Sequence, residues 1–271
     1  MYSRLQLARK YIRYYLTASN GKGHGVHSPF VYDFIRNVLN DGREHAAFAP
    51  IEALRARLVN DATSLEVEDM GAGSAVAGGR RRSVGEIARH AAKPARLGRL
   101  LYRIAEYYKS RSVLELGTSL GLSTAYLTRG AVEGALSGGV RVWTIEGAAA
   151  VAAVAADNFR ELGLKEVELV VGNFDQELER VLSRAGNIDL AFVDGNHRME
   201  PTLRYFHSLM NGCASASILI FDDIHWSREM EEAWTRIQQD PRVYMTIDLF
   251  FIGLVVLRKE FKVKQHFVIR F

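Results

Sequence analysis

Cysteine is almost missing from this chain. Cys213 stands alone, so no internal disulfide can form, and a reducing cytosol is the expected compartment. Long apolar runs are missing too. The opening segment MYSRLQLARKYIRYYLT is broken by Arg4, Arg9, Lys10 and Arg13, unlike the uninterrupted apolar core of a secretion signal. GAAAVAAVAA, from Gly147, is far shorter than the roughly 20 residues a membrane span needs. No charge excess announces a polyanionic partner, because the net charge is only +4 and the pI about 9.2. Internal repeats and low-complexity tails are lacking as well. These absences exclude a disulfide scaffold, a membrane-spanning protein and a nucleic-acid binder driven by bulk charge. The expectation is then a cytoplasmic globular protein without a membrane partner. With 271 residues, 48% hydrophobic and 24% charged, it is able to bury a real core as one large domain or one domain with an extension.

Up to about residue 110 the patterning reads as helical. In HSPFVYDFIRNVL, Ser28 is placed to cap a helix with Pro29 in its first turn, and Phe30, Phe34, Ile35 and Val38 share a face. SVGE at 83–86 has capping-box spacing. Pro94 opens a helix with Leu97, Leu100, Leu101, Ile104 and Tyr108 at helical intervals. Between them GAGSAVAGGRRRS reads as a loop. From Ser112 short apolar runs (SVLEL, VRVWTIE, VELVVG, IDLAFVD, SILIFDD) alternate with helical segments, as in a parallel sheet covered on both faces. VYMTIDLFFIGLVVLRK at the end predicts two antiparallel strands at a sheet edge.

Two glycine turns resemble each other, VEDMGAGS at 67–74 and VLELGTSLGLS at 113–123. A ligand-binding turn in an open parallel sheet should follow a strand and open a helix. Only the second does so, and the next strand, VRVWTIE, ends in Glu146, placed to accept hydrogen bonds from two ribose hydroxyls. The first runs into AVAGGRRRS and reads as a surface or substrate-side loop. The dinucleotide fingerprint G-x-G-x-x-G is not met either: the spacing is Gly117-x-x-x-Gly121, with Ser119 where the middle glycine belongs.

LELGTSLGLST followed by TIE resembles the cofactor loop and ribose-binding acid of class I S-adenosylmethionine-dependent methyltransferases. The two-strand ending is similar to the antiparallel edge of their sheet. The resemblance runs from about residue 85 to 271. It implies a Rossmann-like, doubly wound α/β fold with a mostly parallel seven-stranded sheet. That domain would occupy 85–271, and 1–84 would be a helical N-terminal extension serving as lid, substrate contact or homodimer contact. It further implies that Glu115, Gly117, Ser119 and Gly121 line the methionine end of S-adenosylmethionine. Asn173 and Phe174 would sit by the adenine, with plain core packing the competing role for Phe174.

Two later strands end in acids: Asp194 in VDGNH, and Asp222 with Asp223 in FDDIHW. On one side of a parallel sheet three such carboxylates are expected to converge. They repel one another unless a cation lies between them, and oxygen-only ligands suit Mg²⁺ or Mn²⁺. This resembles the metal-dependent small-molecule O-methyltransferases of the catechol, caffeoyl-CoA and antibiotic-sugar types. In the catechol type a lysine three residues beyond the first Asp takes the substrate proton; here that position is His197. The resemblance therefore implies Asp194, Asp222 and Asp223 as metal ligands, with Asp194 also beside the cofactor, and His197 with Asp194 as the catalytic pair. Other roles stay open: His197 or His225 acting without metal, both histidines as scaffolding, or Asp222 or Asp223 capping the next helix. The aromatic residues Tyr11, Tyr14, Tyr15, His24, His27, Phe30 and Tyr32 fit a lid, a dimer contact or core. Arg80, Arg81 and Arg82 fit an anionic substrate or simple solvation.

The expected partner is a small-molecule substrate. A methyltransferase for RNA ranks below it, because VDGNH stands where amino-directed enzymes carry Asn/Asp-Pro-Pro-aromatic. A non-catalytic binding module and a nicotinamide-dependent dehydrogenase are the remaining rivals.

Overall fold

The computed structural model describes residues 1–67, 80–90, 92–135 and 138–271. The DMGAGS turn therefore lies outside the described residues. The chain forms two compact units, Met1–Asp41 with Gly186–Phe271, and Gly42–Ala185.

The first unit begins with α1 (Arg4–Thr17), closed at its start by a capping box between Ser3 and Gln6. Ser28 caps α2 (Pro29–Phe34) as its sequence announces, and a π-helical turn, Ile35–Leu39, continues it.

The second unit holds α3 (Phe48–Val59), strands β1 (Ser64–Val67) and β2 (Arg80–Ser83), α4 (Val84–His90) and α5 (Ala95–Tyr107). It continues through β3 (Ser112–Leu116), α6 (Leu122–Gly134), β4 (Arg141–Glu146), α7 (Ala149–Glu161), β5 (Val167–Val171) and α8 (Phe174–Ala185). Ser83 and Glu86 make the expected reciprocal cap on α4. β1 and β2 pair antiparallel with Glu66 opposite Arg81, so the arginine run Arg80–Arg82, expected in a loop, lies in a strand. Leu100, Leu101 and Ile104 of α5 are fully buried, each contributing roughly 1.5–3 kcal/mol. α6 lies against α5 closely enough that a Cβ on Gly130 would strike the Tyr102 carbonyl. β3, β4 and β5 are parallel neighbours in that order. Leu114 and Ile145 are buried, as a strand covered on both faces requires.

The chain then returns to the first unit with β6 (Ile188–Val193), α9 (Met199–Gly212), β7 (Cys213–Asp222), α10 (Arg228–Gln239), β8 (Met245–Asp248), β9 (Ile252–Val256) and β10 (Gln265–Val268). The strand order here is β10-β8-β9-β7-β6, with β6 and β7 parallel and β9 antiparallel to both β7 and β8. The expected antiparallel pair is present, but β10 lies outside it, parallel to β8. With three strands in the second unit and five in the first, the described residues have one strand more than the expected seven, apart from the β1–β2 hairpin. α1 packs in this unit through Tyr11 and Tyr14, whose rings lie 5.1 and 5.2 Å from that of Phe250. The architecture is a Rossmann-like α/β fold. No helix among the described residues is long and apolar enough to cross a membrane.

Candidate functional site

In the second unit the ends of β3, β4 and β5 bring together residues far apart in sequence. After β3 the chain doubles back, so that the N–H groups of Gly117 and Thr118 both donate to the Ile145 carbonyl at 3.0 and 3.3 Å. The turn needs left-handed backbone at Gly117, Ser119 and Gly121, with φ of 103°, 48° and 83°. Glycine takes that conformation freely, whereas Ser119 is strained, a feature that gathers at functional loops. At Gly121 a Cβ would also run into the Phe159 ring.

Glu146 closes the turn from the other side. Its Oε2 accepts from the Ser119 N–H at 2.8 Å and its Oε1 from the Ala148 N–H at 3.0 Å. Its carbonyl accepts from the Gly172 N–H at 2.9 Å, which sets the turn carrying Asn173 and Phe174 beside it. Asn173 Oδ1 accepts from the Asp175 N–H at 2.8 Å, and Phe174 is half-buried at the start of α8. Gly117, Ser119, Gly121, Glu146, Asn173 and Phe174 thus form one neighbourhood.

Glu115 stands apart from them, with none of its surface exposed. Its Oε2 accepts from the hydroxyls of Thr124 and Thr144, and Thr144 in turn bonds Thr118 at 2.6 Å. Among the described residues its buried Oε1 has no hydrogen-bond partner. Burial pushes the Glu115 carboxyl up to about 7, against the opposing pull of the Ser123, Thr124 and Thr144 hydroxyls. The threonines are the residues that sequence reasoning missed here. A hydroxyl at position 124, one helical turn past the glycine turn, was the only available signal.

The first unit gathers the acids. Asp194 follows β6, Asp222 ends β7, and His197 lies in the intervening turn. Ligand atoms of Asp194, His197 and Asp222 all lie within 4.8 Å of one another. His197 Nε2 is 3.7 Å from Asp194 Oδ1 and 4.0 Å from Asp223 Oδ2, charge-pairing rather than hydrogen-bonding distances. Asp222 is buried, while the side chains of Asp194, His197 and Asp223 keep 13%, 30% and 27% of their surface. The two turns are held in left-handed conformations at Asn196 (φ 60°) and Asp223 (φ 53°). Asn196 Nδ2 donates to the Tyr205 hydroxyl at 3.0 Å, and the Asp223 N–H donates to the Phe251 carbonyl at 2.7 Å.

The capping role weighed for Asp222 or Asp223 falls to another residue. Ser227 Oγ accepts from the Met230 N–H and caps α10, which begins at Arg228. His225 is held on both ring nitrogens. Its Nε2 meets Asp248 Oδ2 at 2.8 Å, its Nδ1 meets Glu231 Oε1 at 3.1 Å, and its ring stacks on Phe250. Burial pulls its pKa down, but the bonds and charges of Asp248 and Glu231 outweigh this and hold it above the usual histidine value. Phe30 packs within the first unit: its ring lies edge-on to Phe261 at 5.7 Å and beneath Arg258.

Residues 114–224 match a family described as a methyltransferase domain. No curated protein matches the sequence. Among solved structures, the SAH-bound Podospora anserina methyltransferase PaMTH1 shares 14% identity, covering 96% of this chain and 98% of its own, with a TM-score of 0.59. The SAH-bound O-methyltransferase from Bacillus cereus shares 20% over 84% of this chain and 97% of its own, with a TM-score of 0.53. The SAM-bound O-methyltransferase TomG from Streptomyces achromogenes, involved in tomaymycin synthesis, shares 19% over 80% and 91%, with a TM-score of 0.55. At these identities the likeness is one of fold. Residues 114–224 are thus similar to a methyltransferase domain, and the chain shares the Rossmann-like α/β fold of these solved methyltransferases.

Proposed function

We propose that this protein transfers a methyl group from S-adenosylmethionine to an oxygen of a small molecule, assisted by a divalent cation. The observation that carries this reading is the Asp194, His197 and Asp222 set, with ligand atoms within 4.8 Å of one another and Asp223 alongside.

The residues of the second unit fit the cofactor. A carboxylate accepts about four hydrogen bonds, and Glu146 spends two on Ser119 and Ala148, which leaves two for a ribose diol. The unpartnered Glu115 Oε1 is an acceptor of the kind that an amino group at the methionine end satisfies. Gly117, Ser119 and Gly121 form the turn against that end, and Asn173 and Phe174 are assigned to the adenine. The donor set of the first unit fits a hard cation, Mg²⁺ or Mn²⁺, held by Asp194, Asp222 and Asp223.

When bound, S-adenosylmethionine supplies the electrophilic methyl and the cation acidifies the ligating hydroxyl. His197 takes the hydroxyl proton on Nε2, and Asp194 beside it favours the imidazolium so formed. Because the transfer is an in-line displacement, alignment and deprotonation are what these side chains contribute.

The test pairs calorimetric titration with SAH and methyl transfer to a panel of vicinal dihydroxy aromatics, with Mg²⁺ or EDTA. Saturable SAH binding and EDTA-sensitive O-methylation are expected. SAH binding with equal turnover in EDTA would remove the cation from the reading. Failure to bind SAH in folded protein would remove the catalytic reading altogether.

A further inference from the structure

The outward face of α1 is built differently from the face that packs into the first unit. Tyr14 is buried and Tyr11 half-buried on the inner side, against Phe250. Lys10 is also turned inward and spent on Glu231, at 2.9 Å. On the far side Leu5, Ile12, Leu16 and Tyr15 are exposed by 82%, 59%, 71% and 49%. At 100° per residue these four and Ala8 fall on one continuous arc, about 100° wide. Arg4 borders that arc on one edge, and Arg9 and Arg13 border it on the other. All three arginines are exposed, and none makes an ion pair among the described residues.

Leaving such leucines and isoleucine in water sacrifices burial that their size would otherwise provide. Charge decides what covers them. The first acid in the chain is Asp33, so α1 and its flanks carry positive charge alone, from Arg4, Arg9, Lys10, Arg13 and Lys22. A second copy packed on this face would set arginine fringe against arginine fringe, and α1 has no carboxylate of its own to relieve it. An anionic bilayer meets both demands at once: acyl chains take the apolar arc, and phosphate headgroups take the guanidinium groups on its edges. A helix of this length lies in the interface and does not span it, consistent with the absence of a spanning helix among the described residues.

We propose that α1 is an interfacial helix that docks the protein on the surface of an anionic phospholipid membrane through Leu5, Ile12, Tyr15 and Leu16, with Arg4, Arg9 and Arg13 engaging phosphate. This docking stands apart from methyl transfer, and its test uses no cofactor.

Full-length protein is floated with vesicles of equimolar phosphatidylglycerol and phosphatidylcholine, and with phosphatidylcholine alone. Binding to the anionic vesicles is expected, weakening as salt rises, with at least about tenfold less on the neutral ones. Leu5→Gln/Ile12→Gln/Leu16→Gln and Arg4→Gln/Arg9→Gln/Arg13→Gln each lose it by about tenfold or more. Because every changed residue points outward, circular dichroism and Tm should match wild type, which separates docking from folding. The proposal is overturned if wild type stays off anionic vesicles, or if either triple variant binds as well as wild type. It is also overturned if light scattering shows a dimer that the leucine and isoleucine variant dissociates while vesicles go unbound, since the face is then a contact between copies.

Discussion

The backbone N–H of Ser119 donates to Glu146 Oε2 at 2.8 Å, joining the turn after β3 to the end of β4. One carboxylate thus shapes the glycine turn and still presents acceptors to a ligand. Glu146→Gln should separate these duties. The amide replaces one acceptor oxygen with a donor, so it meets either the Ser119 or the Ala148 N–H with the wrong group. SAH affinity is expected to fall between about tenfold and a hundredfold, as lost charge-assisted bonds of 1.5–3 kcal/mol imply. Titration calorimetry measures it, and unchanged affinity would take Glu146 out of the cofactor site.

Gly121→Ala should destabilise the fold by about 1–3 kcal/mol, since alanine is strained at φ 83° and its methyl meets Phe159. Adding Phe159→Leu should recover only the steric part. Urea melts of the single and double variants distinguish the two contributions. A single variant as stable as wild type would show that the turn relaxes freely.

Glu115 predicts a pH effect with a defined sign. Its folded pKa, about 7, lies above the ordinary value of 4.5, so the folded state keeps a proton that the unfolded chain releases. The associated stability is complete below about pH 4.5 and is lost as pH rises through about 7, a change of about 3 kcal/mol. Relative to Glu115→Gln, wild type should therefore weaken from pH 4.5 to 8. Parallel stability curves for the two proteins would refute the assignment.

Asp194→Asn should abolish any rise in Tm produced by Mg²⁺. His197→Gln distinguishes two roles for the imidazole that its position among the acids allows. As the base, it leaves the Mg²⁺ shift intact and lowers kcat by about 10²-fold or more. A shift lost along with the imidazole would make His197 a metal ligand instead.

Tyr14→Phe removes a hydroxyl that donates to the Ile269 carbonyl and accepts from the Phe271 N–H at 3.1 Å. With that site buried, a loss of about 1–3 kcal/mol is expected. A thermal melt lowered by several degrees would bear this out.

Local pattern was enough to read the alternation of strand and helix from Ser112 onward, the caps at Ser28 and Ser83, and the placing of the second glycine turn between a strand and a helix. Each depends on neighbours within about one helical turn, which the sequence displays directly. The strand-end acids were legible for the same reason. Tertiary structure alone decided the rest. β1 and β2 carry charges where a lone strand would show apolar alternation, and they are strands because they pair with each other. β10, only four residues long, is recognisable through its bonds to β8. Asp223 is held in its turn by a bond from its N–H to the Phe251 carbonyl, a contact between residues far apart in the chain. Whether an acid is wholly buried, like Glu115, or only partly, like Glu146, depends on the hydroxyls and amides folded around it. No run of adjacent letters contains that information.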